Sequence, residues 1–127
     1  MILTESQVRY YLSSAGFSGT ALSFAIKICH CESGFRTQAH NTTGEDSRGL
    51  MQINVSPNAN PQYSYLNLFD PAINTRVAFE IFQARGKNFR DWTCARQLGL
   101  VYPGNSIEPQ NIILPIAFLG LTLYLIS

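Results

Sequence analysis

The apolar run from Ala21 to Cys31 does most to restrict how this chain can fold. Ala21, Leu22, Ala25, Ile28 and Cys29 recur at helical spacing and form one buried stripe. Ser18-Gly19-Thr20 supplies a start and Gly34 a stop, so the spacing predicts a helix ending at about Ser33. Ala25, Cys29 and Glu32 are four and then three apart, which puts a carboxyl group on the core-facing side. A poorly solvated carboxyl holds its proton above the ordinary glutamate value of about 4.3. A group still protonated near neutral pH can donate to a glycosidic oxygen. The plainer alternative is a helix-terminal Glu that hydrogen-bonds a loop.

The rest of the chain reads as helices around one irregular stretch. Thr4-Glu5-Ser6-Gln7 has the form of a capping box and predicts a helix over 5–15, with Val8, Tyr11, Leu12 and Ala15 on its apolar face and Gly16 at its end. Residues 36–48 are polar and turn-rich, a loop or small hairpin. Gly49 to Asn54 is short and apolar, a strand or turn, and Ser56 to Tyr65 is a long loop. Asp70-Pro71 offers an N-cap and a proline at the first helical position, opening a helix to about Arg85 with Ile73, Val77, Ile81 and Ala84 on its buried side. A short helix starts near Asp91, holds Trp92 and Cys94, and ends by Gly99. The expected architecture is mainly α, a compact helical domain with a small polar hairpin region. Its helices bury Phe24, Ile28, Ile81, Phe82 and Trp92.

At 127 residues the chain can bury one real core. With 9 basic and 8 acidic residues its net charge is +1, which gives no electrostatic case for a nucleic-acid partner. Of the three cysteines, Cys29 and Cys31 point to nearly opposite sides of a helix, so only one can face Cys94. One disulfide and three reduced thiols both fit. The same spacing argues against zinc on Cys29-His30-Cys31 with His40, because helical ligands to one ion are three or four apart; no metal or cofactor is expected. From Ile112 to Ile126 the chain is apolar on all sides, which suits a C-terminal transmembrane helix better than a buried or interfacial one. The expected division is a domain over 1–100, a linker over 101–111 and a membrane anchor over 112–127. The N-terminus lacks the basic start and long apolar stretch of a signal peptide.

Glycoside hydrolysis normally takes two carboxylates. Asp70 and Asp91 are best explained as helix caps, which leaves Glu45 and Asp46 in the polar loop as candidates to face Glu32. If neither reaches it, Glu32 must act as both acid and base. A sugar hydroxyl then closes on the anomeric carbon, and the reaction is intramolecular transglycosylation. Gln52 and Asn54 suit hydrogen bonds to sugar hydroxyls or N-acetyl groups, and Tyr63 and Tyr65 suit stacking on pyranose rings. Trp92 is better read as core.

An ordered set of short stretches carries a family resemblance. It comprises Ala15-Gly16-Phe17-Ser18-Gly19, Ala25 to Phe35 with its Glu-Ser-Gly, Asn41 to Ser47, Gly49 to Asn54, Asn67-Leu68-Phe69-Asp70-Pro71 with Asn74, and Asp91-Trp92. Through these the chain resembles the lysozyme superfamily, and most of all the soluble lytic transglycosylase-like domains, including those in phage tail tape-measure proteins. The resemblance implies a lysozyme-like α+β fold and cleavage of the β-1,4 bond between N-acetylmuramic acid and N-acetylglucosamine in peptidoglycan, leaving a 1,6-anhydro end. It implies that Glu32 is the acid/base, that Ser33 helps fix it, and that Gln52 lies on the substrate side. One departure is the absence of the tyrosine that many members carry in a Tyr-Asn-aliphatic-Gly motif; here Thr93-Cys94-Ala95-Arg96 follows Trp92. Tyr63, Tyr65 and Tyr102 are the available replacements. The expectation is a membrane-anchored lytic transglycosylase of a phage virion, acting at the host periplasm or cell wall. Its expected partners are glycan strands, a lipid membrane through residues 112–127 and other virion proteins. The alternatives are a hydrolytic muramidase using Asp46 or Glu45 to position water, and a non-catalytic wall-binding virion protein.

Overall fold

A computed structural model describes residues 1–105. Four helices, α1 (Glu5–Ala15), α2 (Gly19–Ser33), α3 (Pro71–Ala84) and α4 (Thr93–Leu98), surround a small sheet of β1 (His40–Asn41), β2 (Ser47–Arg48) and β3 (Ile53–Asn54). The strands pair antiparallel in the order β1-β2-β3, with Asn41 opposite Ser47 and Arg48 opposite Ile53. The mainly helical expectation holds; the polar stretch forms the β1–β2 hairpin, and the Gly49 to Asn54 segment adds β3 to it. The apolar tail lies outside the described residues. Among the described residues, no helix is long and apolar enough to cross a membrane.

The helix boundaries follow local chemistry. Thr4 Oγ1 accepts from the Gln7 N–H at 3.2 Å while Gln7 Oε1 accepts from the Thr4 N–H at 2.9 Å, a complete capping box. Gly34, at φ 62°, closes α2 with its N–H on the His30 carbonyl. Asp70 caps α3 by accepting from the Ala72 N–H at 2.8 Å, with Pro71 at the first position. Asp91 departs from expectation. The last helix starts two residues later, at Thr93, and the Asp91 carboxylate instead accepts from Arg85 Nε at 2.9 and 3.1 Å. The indole of Trp92 sets that start, because its Nε1–H is fixed on the Met51 carbonyl at 2.7 Å in the core.

The core joins all four helices to the sheet. α1 lies against α2 and α3, and α4 lies against α2. Leu12, Ile28, Leu50, Met51 and Leu68 are wholly buried, and Phe17 is ringed by Phe79, Phe82 and Phe89 at centroid distances of 5.0–5.7 Å. Trp92 belongs to this core, as the sequence suggests, while Phe24 is only partly covered. The packed unit runs past the expected boundary at residue 100. Leu100 and Val101 rest on the core, Val101 accepts from the Phe89 N–H at 2.8 Å, and the turn Pro103–Asn105 lies against α2.

Candidate active site

Glu32 sits in the last turn of α2, half-buried, with Oε2 accepting from the Cys94 N–H of α4 at 3.1 Å. Cys94 is the second residue of α4, so its N–H has no acceptor within the helix. Glu32 therefore supplies a cap that α4's own chain does not. A disulfide between Cys31 and Cys94 fastens the two elements beside this bond. Cys29, on the buried side of α2, stays free; its thiol donates to the Leu50 carbonyl at 3.5 Å, and burial pushes it up to about 12.

Burial raises the proton affinity of Glu32 above its ordinary value. The Cys94 amide pulls it back, the charge of Glu45 raises it, and Arg96 lowers it, with burial prevailing. Glu45 is thus the loop carboxylate whose charge Glu32 senses. It lies in the turn between β1 and β2, accepts a hydrogen bond from the Ser47 hydroxyl, and lines a groove of about 620 Å³ with Thr42, Ser56 and Asn58.

Asp46, the other loop candidate, is paired with Arg48 and His40. It accepts from Arg48 Nε and Nη2 at 3.0 and 2.8 Å, and His40 Nε2 lies 2.8 Å away. Arg48 first, and then His40, hold its carboxyl down at about 2. Glu45 and Asp46 are neighbours in the turn before β2, and their carboxylates engage different partners.

The remaining candidates divide. Ser33, expected to help fix Glu32, is buried; its hydroxyl donates to the Cys29 carbonyl at 3.1 Å and accepts from the Phe35 N–H at 3.1 Å. It shapes the turn after Glu32 and neither touches that carboxyl nor faces solvent. Gln52, at φ 50°, spends both amide hydrogens on the carbonyls of Ala39 and Gly49, at 3.0 and 2.9 Å. Asn54 Oδ1 accepts from the Ser56 N–H at 3.0 Å. Gln52 and Asn54 share a cleft of about 30 Å³ with Asn60 and Trp92. Tyr63 turns to α3, where its hydroxyl donates to Glu80 at 3.2 Å, and Tyr65 is 82% exposed.

Three features of the site escape a reading of residue types. One is the Cys94 amide on Glu32, a main-chain contact across 62 residues. A second is the charge of Arg96 near Glu32. The third is Asn74, wholly buried, which donates to the carbonyls of Arg48 and Leu68 at 2.9 Å and accepts from the Met51 N–H at 2.8 Å. It clasps the segment that leads to Gln52. Its signal was an amide on the stripe of Val77, Ala78 and Ile81. Gly49 belongs to the same clasp: at φ 75°, an added Cβ would lie 2.0 Å from the Leu68 carbonyl oxygen.

A desolvated acid at a helix end has the protonation behaviour that acid catalysis of glycoside cleavage calls for. The chain matches the model of the family described as Lysozyme like domain over residues 9–94, and it belongs to that family. That makes it a peptidoglycan-cleaving enzyme, a glycosidase or transglycosylase by class. No curated protein and no solved structure matches it.

Proposed function

We propose that this chain is a lytic transglycosylase that cuts the β-1,4 bond between N-acetylmuramic acid and N-acetylglucosamine and leaves a 1,6-anhydro end. What supports the reading is Glu32 as a desolvated acid on the Cys94 amide, with Asp46 paired to Arg48 and His40 and Glu45 engaged by the Ser47 hydroxyl. Protonated Glu32 gives its proton to the glycosidic oxygen as the bond breaks. The resulting carboxylate takes the proton of the muramic 6-hydroxyl as that oxygen closes on the anomeric carbon. Proton and charge balance with one group acting twice, and no water enters. The Cys94 amide steadies the carboxylate between the two steps.

Glu45 gives the hydrolytic alternative a specific footing, since its charge reaches Glu32. In that version Glu45 orients a water. Masses of the released muropeptides separate the two: hydrolysis adds one water per cut, and transglycosylation adds none. The setting belongs to the same proposal. The apolar tail would hold the domain at a lipid membrane of a virion, within reach of the host wall. Deleting residues 112–127 should then abolish co-flotation with vesicles and leave cutting of isolated wall intact.

A further inference from the structure

We propose that the Cys31–Cys94 disulfide is a redox latch on Glu32, so that the site is assembled when the bond is formed and disassembled when it is reduced. The inference rests on Glu32 being the acid/base. Its geometric basis is the overlap of two links. Cys31 directly precedes Glu32 in α2, and Cys94 is itself the residue whose amide touches Glu32 Oε2 at 3.1 Å. One covalent bond thus brackets one hydrogen bond.

The disulfide is the covalent brace on that hydrogen bond. α4 has six residues, too few to hold a helix in isolation. Its flanks are held by the Trp92 indole on Met51 and by Leu100 and Val101 packed on the core. These anchors lie on either side of Cys94 and keep the fold when the bond opens. Two thiols cannot sit at bonding distance, so on reduction the sulfurs part and the covalent tie between the end of α2 and α4 is gone. Without that tie the 3.1 Å amide contact is free to lengthen, and it weakens as it does.

The bond is also reachable. Cys31 is exposed, and it borders a groove of about 620 Å³ with Ile26, His30, Phe35 and Leu98. A small thiolate attacks a disulfide sulfur to give a mixed disulfide, and a second thiolate releases it. In the other direction a small-molecule disulfide takes two electrons from the Cys31 and Cys94 thiols, which lose two protons, and is itself reduced to two thiols. Reducing compartments keep such thiols apart, whereas the wall lies where disulfides persist. The latch therefore idles a wall-cutting enzyme inside the cell that makes it.

The full chain is assayed on purified peptidoglycan across pH, oxidised, reduced with dithiothreitol, and reoxidised with oxidised glutathione. The groups facing Glu32 are Glu45 from the β1–β2 turn, the Cys94 amide and Arg96 from α4, and Cys29 on α2. On reduction kcat falls about tenfold, as when a reacting group is no longer held. The alkaline limb moves to higher pH because an interaction favouring the charged form is gone. Reoxidation restores both, and the double variant Cys31→Ser, Cys94→Ser behaves as reduced protein under all conditions. Val8→Ala, destabilised in the core but with the disulfide intact, keeps the wild-type pH limb. Equal kcat and an unmoved limb in the two redox states overturn the latch while the enzyme stands. A reduced chain that loses its near-ultraviolet tryptophan signal idles by unfolding and also overturns it. If the oxidised chain releases no muropeptides, the enzyme reading fails and the latch with it.

Discussion

Asn74→Ala tests the clasp that holds the sheet against α3. Asn74 is wholly buried and makes three hydrogen bonds of 2.8–2.9 Å, to the Arg48 carbonyl, the Leu68 carbonyl and the Met51 N–H. Truncation removes all three and leaves partners in a region closed to water. An orphaned buried polar group costs about 1–3 kcal/mol. The low end for each gives a loss of about 3 kcal/mol, a large share of the roughly 5–15 kcal/mol typical of a domain. In urea, with m of about 1–3 kcal/mol per molar, the midpoint falls by about 1 M or more. Asn58→Ala, on an exposed loop, stays within about 0.5 kcal/mol and serves as the comparison. An Asn74→Ala midpoint indistinguishable from that of Asn58→Ala would refute the clasp.

Gly49→Ala should be worse tolerated still, because the new Cβ meets the Leu68 carbonyl oxygen and the backbone is at positive φ; the check is whether folded protein accumulates at all. Glu32→Gln should be more stable than wild type at neutral pH. A carboxyl whose proton affinity is raised by folding contributes stability below its unfolded value, and that contribution is lost as pH rises through the folded value. The gain from Gln should therefore shrink as thermal melts are repeated in acid. Asp46 has the opposite sign. Its contribution is present above the unfolded value and is lost as pH falls toward about 2. Asp46→Asn should keep most of the glycan-cutting rate, since Asp46 pairs with Arg48 and His40 rather than with Glu32.

Local signals were legible where one residue governs one contact. The Thr4 and Asp70 caps, the Gly34 stop and the core-facing count to Glu32 all rest on spacings of four residues or fewer. Asp91 misled because a cap was inferred from residue type, whereas the buried Trp92 indole fixes where α4 begins. For Ser33 the family resemblance implied a hold on Glu32, but one helical step turns its hydroxyl to the Cys29 carbonyl. The choice between Glu45 and Asp46 could not be read from the chain. Both lie in the turn before β2, and only the positions of Arg48, His40 and Ser47 show how each carboxylate is engaged. Helix geometry left open one disulfide to Cys94, from Cys29 or Cys31, beside three reduced thiols; Cys31 makes the bond because Cys29 turns to the buried side of α2.

The most direct test is mass spectrometry of muropeptides released from purified peptidoglycan by the oxidised full chain, beside Glu32→Gln. The prediction is products ending in 1,6-anhydro sugar, each one water lighter than a hydrolytic fragment, with release abolished in Glu32→Gln. Hydrated reducing ends, or equal release by Glu32→Gln, would contradict a transglycosylase worked by a single carboxyl group.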